Sequence, residues 1–224
     1  NAFVDIDDNE VYNVDKNGIR VENSFDALIQ NNDVRNTGDD GIDLSNSLVA
    51  DIRNNYIENA GDDGIDAEDT GLFFGKGVDI VGNTINGADE DGINVKNVSA
   101  VDIDDNTIYK AGRDGINVSE SNFADIRDNK ILGTNGGFFR NGTNGAGRDG
   151  IHVEDSSNVD ITDNLIQAGR NGFFSGGGKG AGQFGIYSDD TFNVDVSNNE
   201  ILGAVFGSQG SGTDAIRVMN SEYA

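Results

Sequence analysis

Eight asparagines stand in register along the chain: Asn9, Asn32, Asn55, Asn83, Asn106, Asn129, Asn164 and Asn199. Each lies three residues after an aliphatic position and two before another, as in Ile52-Arg-Asn-Asn55-Tyr-Ile57. Their separations are 23, 23, 28, 23, 23, 35 and 35 residues. Self-similarity at a fixed period of this size, with occasional insertions, marks a solenoid. Most recurring motifs in such a chain are therefore architectural.

A second ladder runs through Ile19, Ile42, Ile65, Ile93, Ile116, Ile151, Ile186 and Ile216, mostly preceded by Asp-Gly. Each isoleucine starts a short apolar–polar–apolar alternation, which reads as a strand with one buried face. A further alternation follows, as in Val78-Asp-Ile80 and Val101-Asp-Ile103, and a third is centred two residues after each asparagine. Three short strands per repeat describe an all-β fold, a right-handed parallel β-helix of about eight coils. The asparagine ladder then has a physical cause. At the bend between the second and third strands, an inward amide bonds the bend's backbone and the asparagine one coil away, about 4.8 Å distant. The glycine that precedes seven of the eight ladder isoleucines is expected to supply a positive φ at another bend.

The repeat resembles the generic parallel β-helix repeat family, which includes polysaccharide lyases, uronan epimerases, phage tailspikes and bacterial surface proteins. The resemblance covers the whole chain and implies the fold; activity does not follow from fold. Alginate epimerases of this fold carry an Asp-Pro-His motif, and this chain contains no proline.

Forty acids against fifteen bases give a formal net charge of −25. Nucleic acid and anionic membranes need a basic footprint, so neither is expected as a partner. No apolar run approaches the length of a membrane span. Without cysteine there are no disulfides or thiolate metal sites.

The 23-residue count is interrupted by glycine-rich insertions at 71–77, 133–148, 168–183 and 203–213. They carry Phe73, Phe74, Phe138, Phe139, Phe173, Phe174 and Phe206. Loops on a rigid scaffold are a usual place for function, so these rings are candidate ligand or partner contacts, against the alternative that they pin the loops to the solenoid. Neither end reads as a polar cap: the chain opens in a second strand at Phe3-Val-Asp-Ile6 and closes past a first strand at Ile216-Arg-Val218. The chain is therefore expected to be either part of a longer solenoid or a unit that self-associates by end-to-end stacking of coils.

Two outward rows carry candidate chemistry. The outward residue of the second strand is aspartate on nearly every coil, including Asp79, Asp102, Asp125, Asp160 and Asp195. Stacked carboxylates repel, which suggests calcium bridging neighbouring rungs; a solvated acidic face is the plainer reading. On the first strand, His152, Tyr187 and Arg217 fall on consecutive rungs. A uronan lyase or C5-epimerase needs a cation to stabilise the developing enolate and an acid and base to move the C5 proton. Arg217 is the candidate stabiliser, with His152 and Tyr187 as base and acid. The residues favour a structural or adhesive solenoid of the cell exterior over this enzyme. A polysaccharide-binding β-helix without turnover is the third reading.

Overall fold

A computed structural model describes residues 3–71, 77–133, 145–167, 181–202 and 213–221. Among them are 24 strands, arranged as three parallel sheets of eight. Each coil contributes one strand to each sheet; Ile93–Lys96, Val101–Asp104 and Thr107–Ala111 form one such coil. Pairing is in register with the sequence repeat. Ile93 faces Ile116, Asp102 faces Asp125, and Ile108 faces Ile131. Stacking like on like fills the interior with isoleucine, valine and alanine, including fully buried Ile80, Ile93, Ile103 and Ile108.

The asparagine ladder forms as its spacing requires. Asn106 Nδ2 donates to Asn129 Oδ1 at 3.0 Å and to the Ile80 carbonyl at 2.7 Å. Asn106 Oδ1 accepts from Asn83 Nδ2 at 3.0 Å and from the Asn83 backbone N–H at 2.9 Å. The residue before each ladder asparagine sits at left-handed φ, from 50° at Asp105 to 67° at Gly82. Aspartate, asparagine and glycine tolerate that region best, which explains the Asp-Asn and Asn-Asn pairs of the repeat.

The bend after the first strand carries its own polar row. Ser24 Oγ donates to Ser47 Oγ at 2.9 Å, and the backbone N–H groups of Val98 and Ser121 donate to the hydroxyls of Ser121 and Ser156. A third row lies just before the first strand. The backbone N–H of Asp91 donates to Asp63 Oδ1 at 2.7 Å, that of Asp114 to Asp91 Oδ1 at 2.8 Å, and that of Asp149 to Asp114 Oδ1 at 2.9 Å. All three bends thus solve the same problem, since backbone groups turned out of the sheets need buried partners.

The expectation of positive φ at the glycines before the ladder isoleucines is not met. Only Gly71, Gly82 and Gly87 have positive φ among the described glycines. The real constraint is close approach. A Cβ on Gly92 would lie 2.5 Å from the Gly115 carbonyl oxygen and 2.6 Å from Ile108 Cγ2. Coil-to-coil stacking leaves no room there for a methyl group.

Candidate functional site

The first-strand sheet brings His152, Tyr187 and Arg217 onto adjacent rungs, as their spacing indicates. His152 faces Tyr187 across one strand pair, and Tyr187 faces Arg217 across the next. The His152 and Tyr187 rings stack with centroids 5.1 Å apart. Phe184, which stands where other coils have the bend aspartate, packs 5.0 Å from Tyr187. The Arg217 guanidinium lies over the Phe184 ring at 5.2 Å, a cation–π distance. Half-buried Phe184 and Tyr187 therefore form a continuous aromatic platform with a cation at one end.

His152 also belongs to a buried charged cluster whose other members, Asp114 and Asp149, do not stand out from the repeat in the sequence. Asp114, Asp149 and His152 are buried together, with exposures of 0%, 2% and 6%. Their ligand-type atoms fall within 4.8 Å of one another, a spacing that suits a metal ion. A guanidinium already serves these groups. Arg148 Nε donates to Asp114 Oδ1 at 2.9 Å and lies 3.6 Å from Asp149 Oδ2, while Arg148 Nη2 contacts Asp114 Oδ2 and sits 2.6 Å from His152 Nδ1. A guanidinium can only donate, so His152 Nδ1 is the acceptor and the ring proton rests on Nε2. That Nε2 is buried without a hydrogen-bond partner among the described residues, and the Glu154 carboxylate is 3.8 Å away.

The electrostatics follow from this packing. Burial pushes Asp114 up, but the hydrogen bonds and charge of Arg148, with the backbone N–H of Asp149, outweigh it and hold the carboxyl below its ordinary range. Burial raises Asp149, which shares the same arginine more distantly. The hydrogen bond from Tyr187 Oη to Asp189, 2.8 Å long, raises the phenol further above its usual value. These states do not suit the expected acid–base pair: the imidazole edge is covered, and the phenol is committed to a carboxylate.

The row Asp79, Asp102, Asp125, Asp160 and Asp195 is in register on the second-strand sheet. Its repulsion is met by arginine on the central rungs. Arg53 pairs with Asp51 and lies 3.4 Å from Asp79; Arg127 bonds Asp102 at 2.7 Å and also pairs with Asp125. Two guanidinium groups thus supply part of the counter-charge of the four carboxylates Asp51, Asp79, Asp102 and Asp125. The loop phenylalanines Phe73, Phe74, Phe138, Phe139, Phe173, Phe174 and Phe206 lie outside the described residues.

The family profile for a right handed beta helix region matches residues 1–146 and 72–222. The chain belongs to this right-handed β-helix family. No curated protein matches it by sequence. Among solved structures, two mutants of the periplasmic alginate epimerase AlgG are similar in fold. One shows 16% identity and a TM-score of 0.61, covering 98% of this chain and 51% of the epimerase. The other shows 15% identity and a TM-score of 0.52, covering 98% and 50%. The chain spans about half the length of these epimerases, and at such identity the likeness establishes the fold alone.

The sequence offered one overlooked signal for the cluster. In Arg113-Asp114 and Arg148-Asp149 an arginine directly precedes the bend aspartate, and on the next coil Phe184 replaces that aspartate. Elsewhere the position belongs to the repeat; here its departures place a cation and a ring beside His152.

Proposed function

We propose that the chain is an adhesive β-solenoid of the cell exterior that binds polysaccharide on its first-strand sheet without turning it over. The observation that carries this reading is the platform of Phe184 and Tyr187 with Arg217 at its end. Sugar rings present apolar faces that pack on aromatic side chains and hydroxyls that reach polar groups beside them, the pattern of mixed apolar and polar contact that fixes a small ligand. Tyr187 and Arg217 stand on paired strands and Phe184 on the bend just before the first of them, so binding costs little ordering. Uronan lyase or epimerase chemistry is less well supported. His152 Nε2 is buried and carries the ring proton, so it stands ready neither as a base nor in contact with solvent.

The test is binding of alginate, pectate and a neutral glucan by affinity electrophoresis, with Tyr187→Ala as the probe. Retardation by at least one polymer, weakened about tenfold by the loss of the ring, is expected, corresponding to ~1.4 kcal/mol. Unsaturated-uronate absorbance or a changed epimer ratio would establish turnover and replace this reading with the enzymatic one. Retardation identical in Tyr187→Ala would remove the platform as the binding face.

A further inference from the structure

On a different sheet, a trough of about 400 Å³ crosses four coils of the second-strand face. Its lining includes Gly77 and Ala100, which place no side chain larger than a methyl group there, and the carboxylates Asp51, Asp79 and Asp102. Phe123 closes one end and is 63% exposed.

Phe123 is the anomaly. Its φ is 55°, a left-handed conformation shared by Asn158 and Asn193, which follow it rung by rung. Those two asparagines suit the position and bond each other, Asn193 Nδ2 to Asn158 Oδ1 at 3.1 Å. A bulky aromatic in this region is strained, and its exposure forgoes the gain of burial. Strain held without a packing benefit points to a role in contact with something else.

The charge of the trough is unbalanced. Arg53 is shared between Asp51 and Asp79, and Arg127 bonds only Oδ2 of Asp102. Asp102 Oδ1 is shielded from solvent and has no hydrogen-bond partner among the described residues. Burial and the neighbouring Asp51 raise the Asp79 carboxyl, consistent with negative charge in excess of its counter-ions.

We infer that this trough docks a basic segment of a partner protein, with one lysine or arginine side chain lying along Gly77 and Ala100. Its charged head sits between Asp79 and Asp102, and its alkyl stem packs against Phe123. A bare metal ion has no use for the apolar lining or the ring. A cation on an apolar stem uses all three, through ion pairing of the head and burial of the stem on that lining and the ring. The net charge of −25 adds long-range attraction for a basic partner.

The experiment titrates a fluorescein-labelled heptapeptide containing two lysines and one arginine, at 150 mM salt, and reads anisotropy. Phe123→Asn is the decisive variant, because it changes no charge and restores the residue type found on the next two rungs. It should weaken binding at least fivefold while leaving the melting temperature unchanged or higher. Asp102→Asn should also weaken binding, and Asp195→Asn, outside the trough, should not. Equal effects of Asp102→Asn and Asp195→Asn would reveal only general attraction to an acidic surface and overturn the proposal. So would binding indifferent to Phe123→Asn, or a melting temperature lowered by that change, which would make the ring structural. Spermidine binding as tightly as the peptide, or calcium displacing the peptide with equal effect in Phe123→Asn, would reassign the trough to small cations.

Discussion

Asn106→Leu isolates what the asparagine ladder contributes. Asn106 is fully buried, and leucine matches its branching without offering a donor or acceptor. The change removes both bonds from Nδ2, to Asn129 Oδ1 and the Ile80 carbonyl, and both bonds to Oδ1, from the side chain and backbone of Asn83. Asn129 Oδ1 still accepts from the Asn106 backbone, and Asn83 Nδ2 still donates to the Ile52 carbonyl at 2.8 Å. The Asn83 backbone N–H loses the acceptor it has here. An orphaned buried group costs about 1–3 kcal/mol, and each further lost bond about 1 kcal/mol. Burying a leucine returns roughly 1–2 kcal/mol, so the net loss is about 2–5 kcal/mol. Asn9→Leu provides the contrast. Asn9 is exposed on the first described coil and receives no ladder bond from a preceding rung, so its loss should stay below about 1 kcal/mol. Urea unfolding followed by circular dichroism measures the difference. Amide exchange near Asn83 provides a local readout, since a solenoid can open in part. A loss at Asn106 no larger than at Asn9 would refute a ladder held together by its amides.

Two further outcomes follow from the packing. Burial raises the carboxyls of Asp40 to about 6, Asp63 to about 7, Asp66 to about 8 and Asp91 to about 6. The folded chain therefore holds protons that the unfolded chain releases, and stability falls as pH rises from about 4 to 8. The lowered Asp114 acts oppositely, but its contribution is lost only as pH drops below the ordinary aspartate range. Calorimetry should show a melting temperature lower at pH 8.5 than at pH 5 by roughly 5–10 °C, given about 2–4 °C per kcal/mol for chains of this size; a flat or rising profile would contradict the buried-acid row. Gly92→Ala should cost more than about 2 kcal/mol in urea titrations, because its methyl would meet the Gly115 carbonyl and the Ile108 side chain. A neutral result would mean the coils can part locally.

The repeat made the coil legible because its cause is local and recurs. An inward amide every coil, alternating strands and turn-forming pairs state the same geometry eight times, and each strand meets its counterpart in register. Left-handed φ at Asp105 and Asp128 follows from residue type at a fixed bend. The buried acids were harder to read. Nothing in Asp-Gly distinguishes an aspartate that merely turns the chain from one whose carboxylate takes the next coil's N–H, as Asp91 does. The glycine constraint was visible as a pattern, but its cause was not, since a clash with Gly115 is a contact between coils.

By itself the sequence determined the coil, the identity of the inward face, and the alignment of His152 with Tyr187 and Arg217, all consequences of period. Only the tertiary structure decided how those residues are used. Arg148 and Asp114 reach His152 from the bends before its own strand and the preceding one, Phe184 extends the ring stack, and Arg53 and Arg127 pair with Asp51, Asp79, Asp102 and Asp125 of the aspartate row. Period fixes which residues share a row. Side-chain reach across rungs fixes which charges meet, and that reach is a property of the folded stack.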